Sequence, residues 1–271
     1  IRLGVTGLSR AGKTVFITSL VANLMDRGRM PQLEAAATGA IRTAYLQPQP
    51  DDTVPRFNYE AYLAQLTAPE PSWPNGTRQI SELRLSLRVQ PSGLLAGISG
   101  PRTVHIDIVD YPGEWLLDLG LLDQTFAEWS EAAMARTKGR PGGDDYAALV
   151  AGVDPTVPLD EPEALVLAER FTAHLQDARE AGFSDCSPGR FLLPGDLAGS
   201  PVLTFAPLPT TRYPRGSLGR EFERRFESYK RNIVRPFFQD HFAKIDRQIV
   251  LVDVLGAIHA GPAALDDLRS A

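Results

Sequence analysis

The sequence predicts an α/β protein: a sheet flanked by helices and interrupted by a large, mostly helical insertion. Three observations carry that prediction. An apolar strand over residues 1–5 runs into Gly7-Leu8-Ser9-Arg10-Ala11-Gly12-Lys13-Thr14, which fits G-x-x-x-x-G-K-[ST], and then into a helical run over 15–25. Three further strands are legible, over 80–89, 103–110 and 248–254. About 135 residues separate the strand ending at Asp110 from the one starting at Gln248, whereas a crossover between parallel strands needs only a dozen or more.

Each element has its own pattern. In the first helix Phe16, Leu20, Val21 and Leu24 form one stripe. Residues 26–78 lack periodicity and are rich in proline, which predicts long functional or mobile loops. Leu83, Leu85, Leu87 and Val89 alternate with polar residues, as do Val104, Ile106 and Ile108, and the two strands are joined by a turn over 92–101. Residues 115–134 read as a helix, 138–145 as a Gly/charge loop and 161–181 as an amphipathic helix. Short extended pieces over 190–208 are broken by Pro194-Gly195 and Gly199-Ser200. Residues 218–245 read as one long helix kinked at Pro236, followed by a buried strand over 248–254. The expected division is 1–113 for the first part of the sheet domain, 114–246 for the insertion and 247–271 for the return to the sheet.

Composition sets bounds. The chain has 271 residues, 43% of them hydrophobic, enough for a large core. Lys and Arg number 28 against 33 Asp and Glu, a formal charge of −5, so no global attraction to nucleic acid or to an anionic membrane is expected. The single cysteine, Cys186, cannot form an internal disulfide, which points to a reducing, cytoplasmic compartment. No run of 18 apolar residues exists to span a bilayer. The chain begins at Ile1 inside a strand and stops inside a helical pattern over 263–269, so a fragment of a longer protein is expected.

The chemistry is concentrated near the amino end. In such a loop, backbone N–H groups of residues 9–15 (Ser9, Arg10, Ala11, Gly12, Lys13, Thr14 and Val15) curl around a β-phosphate, aided by the helix N-terminus. Lys13 is placed to reach the β- and γ-phosphates, and the Thr14 hydroxyl to ligate Mg²⁺. A neighbouring strand must supply a carboxylate. D-x-x-G occurs at Asp110, Asp196 and Asp253. Asp196 follows a Pro-Gly turn rather than a strand, and Asp253 reads as structural. Asp110 ends an apolar strand, and Pro112-Gly113 makes the sharp turn a γ-phosphate sensor requires, with the Gly113 N–H toward that phosphate.

Glu114 either orients an attacking water or serves as a first-turn acid on the following helix. Arg10 either acts as an arginine finger in cis or lies in solvent. Within the proline-rich stretch 38–60, Thr53 is the first choice for a third Mg²⁺ ligand on a mobile loop, with Thr43 and Thr38 behind it. A guanine-reading [NT]-K-x-D motif should follow a strand. The only K-x-D, Lys244-Ile245-Asp246, precedes one and reads as a decoy, so the residues alone do not separate guanine from adenine. The four histidines have no metal-like spacing. Arg224, Arg225, Lys230, Arg231 and Arg235 give the long helix a basic side, either a solvated face or a surface for a partner or acidic lipid.

Beyond the octet and its continuation to Leu20, several segments resemble the YcjX-like P-loop proteins of bacteria. They are Pro48-Gln49-Pro50-Asp51, Val54-Pro55-Arg56-Phe57, Asp110-Tyr111-Pro112-Gly113-Glu114-Trp115, the stretch from Leu193 to Pro201, Pro236-Phe237-Phe238 and the stretch from Arg247 to Leu255. The strand from Asp107 to Gly113 also resembles the metal-and-switch strand of small GTPases. That resemblance implies a P-loop NTPase of GTPase-like fold, stress-associated and linked to the phage-shock response. It implies phosphate and Mg²⁺ binding by Gly12, Lys13 and Thr14, and a second switch formed by Asp110 and Gly113. Glu114 stands where many GTPases use glutamine. The family's T-K-x-D lies beyond this chain. The reading is a slow GTP·Mg²⁺ hydrolase that releases GDP, with ATP as the alternative nucleotide. A nucleotide-gated module with little turnover and a P-loop kinase are the other classes, and a protein partner and peripheral membrane contact stay open.

Overall fold

The computed structural model describes residues 1–8, 11–26, 29–74, 76, 78–91, 100–209 and 212–270. They fall into two compact units, Ile1–Pro112 with Lys244–Val252, and Gly113–Ala243 with Asp253–Ala271. The first holds β1 (Arg2–Gly7), α1 (Lys13–Met25), α2 (Glu34–Ala37), β2 (Ile41–Gln47), α3 (Tyr59–Leu66), β3 (Ser81–Val89) and β4 (Arg102–Asp110). The second holds α4 (Glu114–Leu117), α5 (Phe126–Thr137), α6 (Gly143–Ala151), α7 (Glu161–Glu180), α8 (Gly189–Leu192), α9 (Leu218–Tyr229) and α10 (Arg235–Asp240). The chain then adds β5 (Arg247–Leu251) to the sheet, and α11 (Val254–Ala260) and α12 (Pro262–Ser270) to the second unit. The architecture is α/β, with a mixed five-stranded sheet and helices.

The sheet order is β2-β3-β4-β1-β5. β1 runs parallel to both β4 and β5, and β3 antiparallel to β2 and β4. Alternation gives the sheet two faces. On one, Val5, Leu83, Leu85 and Ile108 pack with Ile17 and Val21 of α1 and with Phe57 and Tyr59. Val5, Ile17, Val21 and Leu85 are fully buried, each contributing about 1.5–3 kcal/mol of transfer free energy. The other face is polar. Arg84 bonds Asp107, Arg2 faces Glu82 at 3.7 Å, and Ser86 Oγ donates to Gln47 and meets His105 Nδ1 at 2.8 Å.

Three expectations for this unit change. The stretch 26–78 is not all loop, since it contains β2 and α3. Register shifts between Ile41 and Thr43, so the core-facing residues of β2 are Ile41, Ala44 and Leu46. A bulge of this kind breaks the period of two by which strands are read. Tyr59, Tyr62, Leu63 and Leu66 do follow a helical stripe, but over only eight residues between proline-rich flanks. The third change is β5, expected to be buried. Val250 is 59% exposed, because β5 is hydrogen-bonded to β1 on one side and ends the strand order.

The helical unit is organised around aromatic rings. Trp129 stacks on Phe226, centroids 5.1 Å apart, and meets Phe171 and Phe205 edge-on. Offset and edge-on geometries of this kind add to the large areas such rings bury. The expected helix over 115–134 is broken. α4 passes into a 3₁₀ turn at Asp118–Leu121, and Thr125 then starts α5 with a reciprocal capping box to Glu128. The supposed loop over 138–145 already contains the start of α6, which Gly142 caps in the left-handed region at φ 66°.

The long helix also divides. α9 ends at Tyr229, a π-helical turn spans Lys230–Val234, and α10 stops at Asp240. Pro236 has no N–H to donate, and the chain widens into the π-helical turn just before it. On α9, Arg224 pairs with Glu221, and Arg225 with Glu221 and Glu161. Those glutamates offset much of the basic character read from the sequence. In the last helix Asp267 accepts from Arg140 and from the Ser184 and Asp185 N–H groups.

Asp118 is a wholly buried carboxyl whose pKa burial raises to about 6. The unfolded chain releases this proton near the ordinary Asp value, so the native state loses relative stability as pH climbs from about 4 through 6. Replacing Asp118→Asn removes the titration. The expected outcome is a variant-minus-wild-type unfolding free energy that moves in the variant's favour by on the order of 2–3 kcal/mol between about pH 4 and 7. Urea unfolding at each pH measures it, and a difference flat with pH would contradict the assignment.

Candidate functional site

Two parallel strand ends define the site. β1 and β4 are in register, Val5 opposite Asp110, so the segment after Gly7 and the Asp110 carboxylate emerge at the same edge of the sheet. Gly7 lies opposite Leu251 on β5, with φ 154°. A β-carbon at Gly7 would stand 2.3 Å from the Leu251 carbonyl oxygen, so no side chain fits there. Gly12 is required for a different reason. Nothing crowds it, but it caps α1 in the left-handed region at φ 82°, ψ 18°. Ala11 N–H donates to the Leu8 carbonyl at 3.2 Å.

Lys13 and Thr14 open α1 and are both buried. The Lys13 ammonium curls back on the loop, donating to the Gly7 carbonyl and, at 3.4 Å, to that of Leu8. The Thr14 carbonyl accepts from the Thr18 hydroxyl at 2.7 Å, and Val15 is half-buried in the same turn. Ser9 and Arg10 lie outside the described residues. Asp110 is buried at the end of β4. Burial and then the Asp110 charge raise the pKa of Tyr62 on α3 and, well beyond its ordinary value, that of the adjacent Tyr111. One unit thus holds a buried ammonium, a buried hydroxyl on the first helical turn and a buried carboxylate at the next strand end. That donor set suits a phosphate chain with a hard divalent cation.

The other sequence candidates are placed differently. Gly113 is the N-cap of α4 with helical φ and ψ, and Glu114 is the first, buried residue of that helix, in the helical unit. Thr53 sits in an exposed turn, where its N–H (3.0 Å) and its hydroxyl both donate to Asp51 Oδ1. Thr43 cannot belong to a mobile loop, because it pairs with Arg88 inside β2. Thr38 ends α2, its hydroxyl donating to the Glu34 carbonyl. The two remaining D-x-x-G matches are structural. Asp253 caps α11 by accepting from Gly256 N–H at 2.8 Å, and Asp196 is an exposed partner of Arg190. Asp246 of the K-x-D accepts from Arg2 N–H at 2.7 Å and so serves the sheet.

Tyr62 and Glu82 escaped the sequence reading. Tyr62 belongs to the stripe of α3 noted above. Glu82 is fully buried opposite Val109, and burial raises its pKa against the opposing influence of Arg2. Nothing in an alternating strand distinguishes it from an exposed glutamate. Among the described residues, no group of three or more His, Cys, Asp or Glu is placed to hold a metal ion, and no helix is long and apolar enough to cross a membrane.

Comparison with known proteins follows the same residues. The model described as "YcjX-like family, DUF463" matches residues 1–271. The protein named Ras-like GTPase YcjX from Escherichia coli (strain K12) is 39% identical over 289 residues, covering 100% of this chain and 62% of that protein. The one of the same name from Shewanella oneidensis is 36% identical over 296 residues, covering 100% of this chain and 61% of that protein. The chain therefore spans about three-fifths of the length of the curated relatives it matches. With its whole length matched and the Gly7–Thr14 and Asp110–Gly113 segments in a mixed α/β sheet, the chain belongs to the YcjX-like family.

Proposed function

We propose that this chain binds GTP with Mg²⁺ and hydrolyses it slowly, as a stress-related cytoplasmic switch read by a protein partner. The observation that carries the reading is the turn from Gly7 to Lys13, crowded at one glycine and left-handed at the other, beside Asp110 on the parallel neighbour of β1. A main-chain cradle followed by a helix N-terminus suits a β-phosphate. The naming of both relatives as Ras-like GTPases supports guanine over adenine.

Each residue then has a defined task. Amides from Ser9 to Val15 hold the phosphates, and Lys13 turns from the loop carbonyls to the β- and γ-phosphate oxygens. Arg10 adds a second positive charge. The Thr14 hydroxyl and Asp110 would hold Mg²⁺, with Thr53 as the third candidate. Bound there, Mg²⁺ supplies charge neutralisation across the β- and γ-phosphates. The Gly113 N–H would contact the γ-phosphate, and Glu114 would orient the attacking water and accept its proton. A carboxylate beside a phosphate also repels it, which favours low turnover. The second reading, a nucleotide-gated module, rests on that feature. ATP hydrolysis at the same residues is the remaining alternative.

Two outcomes are expected. Lys13→Ala should weaken GTP binding at least about tenfold and reduce phosphate release to background, since it removes a charge-assisted contact to the phosphates. Fluorescent-nucleotide titration and multiple-turnover phosphate assay measure both, and one-to-one binding with background release by the wild type would select the gated module. In competition against labelled GDP on a longer chain that includes the guanine-reading T-K-x-D, unlabelled GTP should displace at least about tenfold better than ATP, as base-specific hydrogen bonds require. The reverse order would select the ATPase.

A further inference from the structure

The segment after Gly113 is held by residues far away in the chain. Trp115 Nε1–H donates to the Leu193 carbonyl at 3.0 Å, the Arg190 guanidinium lies 3.3 Å from the indole centroid, and Phe237 meets the ring edge-on. At Gly189 a β-carbon would stand 1.9 Å from the Glu114 carbonyl oxygen, so the two backbones pass in direct contact. Four residues after Glu114, Asp118 accepts from Gly189 N–H at 2.7 Å and from the Tyr229 hydroxyl. Tyr229 is the last residue of α9, and the π-helical turn begins at the next position. From that turn Lys230 Nζ donates to the Gln124 carbonyl at 2.6 Å.

This arrangement is costly for mere packing. A wholly buried carboxyl is rarely worth its desolvation in stability alone, and apolar residues of similar volume do as well or better. What it does provide is direction. Both oxygens are used, each by a donor from a different remote segment, so the turn from Glu114 to Asp118 has one permitted orientation. π-helical turns are themselves frequent at functional sites.

We infer that Asp118 and Tyr229 are positioning residues, which fix the Gly113–Glu114 turn so that the helical unit sets the rate of nucleotide hydrolysis. The inference rests on the reading of Glu114 as the group that orients water. The Tyr229 hydroxyl directs Asp118, Asp118 directs Gly189 and the turn, and the turn aims Glu114. None of these residues other than Glu114 touches the reacting atoms.

Tyr229→Phe removes one hydrogen bond and keeps the ring. Three measurements are made on it, on wild type and on Trp129→Phe, a core substitution in the same unit away from the turn. They are GTP affinity, single-turnover cleavage rate, and amide hydrogen exchange of residues 113–121 with and without GTP. In Tyr229→Phe, affinity should stay within about twofold, cleavage should fall at least about fivefold and exchange over 113–121 should rise, a pattern that separates positioning from binding. Trp129→Phe should leave cleavage and that exchange unchanged while lowering the melting temperature. An unaltered cleavage rate in Tyr229→Phe, or an equal loss in Trp129→Phe, would overturn the inference. A wild type that binds GTP without cleaving it would defeat the hydrolase reading instead. Exchange then decides: a GTP-dependent change over 113–121 that Tyr229→Phe abolishes supports the positioning role, and one that it leaves intact refutes it.

Discussion

The close passage of Gly7 beside Leu251 is the constraint on which the rest of the sheet edge depends. β1 has a parallel neighbour on either side, so its end is fenced by β4 and β5. The chain can leave that slot only where it has no side chain, and it must then reverse before α1 begins. Gly7 meets the first requirement by size and Gly12 the second by its left-handed backbone. Val5, two residues before Gly7, lies opposite Asp110 on β4, so both segments end at one edge of the sheet. In parallel sheets this edge, beyond the carboxyl ends of the strands, is where ligands are bound. The loop's chemistry thus follows from sheet packing rather than from any one side chain.

The two units bury their chains by different means. The sheet unit uses an aliphatic face under α1 and α3 and gives its other face to a ladder of ion pairs and hydrogen bonds. The helical unit relies on rings, with Phe171, Phe205 and Phe226 all packed against Trp129. Large rigid rings lose little conformational entropy for the area they bury. The unit can therefore tolerate a buried polar pair such as Asp118 and Tyr229, because the aromatic cluster carries the stability.

Much of this was legible in the sequence, and the exceptions have physical causes. The strand before the octet and the helix after it were readable because glycines at Gly7 and Gly12 mark the end of one and the start of the other. β3 and β4 were readable because one face of each is apolar. β2 was hidden by a single bulge that shifts its parity between Ile41 and Ala44. The break after Leu117 was signalled by Thr125 and Glu128, a capping pair whose spacing marks a new helix start. The exposed side of β5 was not legible, because Gln248, Val250 and Val252 carry no mark of the strand's place at the end of the sheet order. Lys13, Thr14 and Asp110 were chosen from their spacing and strand context, and the structure buries all three in the sheet unit. Glu82 and Tyr62 were not, since a buried carboxyl and a tyrosine near a charge are made so by neighbours distant in sequence.

Why an entire helical unit can sit between β4 and β5 is a matter of loop entropy. The cost of closing a loop grows with the logarithm of its length, about 0.6 kcal/mol for each doubling. A long insertion with its own core therefore disturbs the strand register little more than a short connection would. Where it attaches matters more than its size. The chain leaves the sheet at Asp110 and enters α4 at Glu114, with only Tyr111, Pro112 and Gly113 between. Proline fixes one backbone angle there, and Gly113 already has helical φ and ψ, so the chain is committed to α4 as soon as it leaves β4.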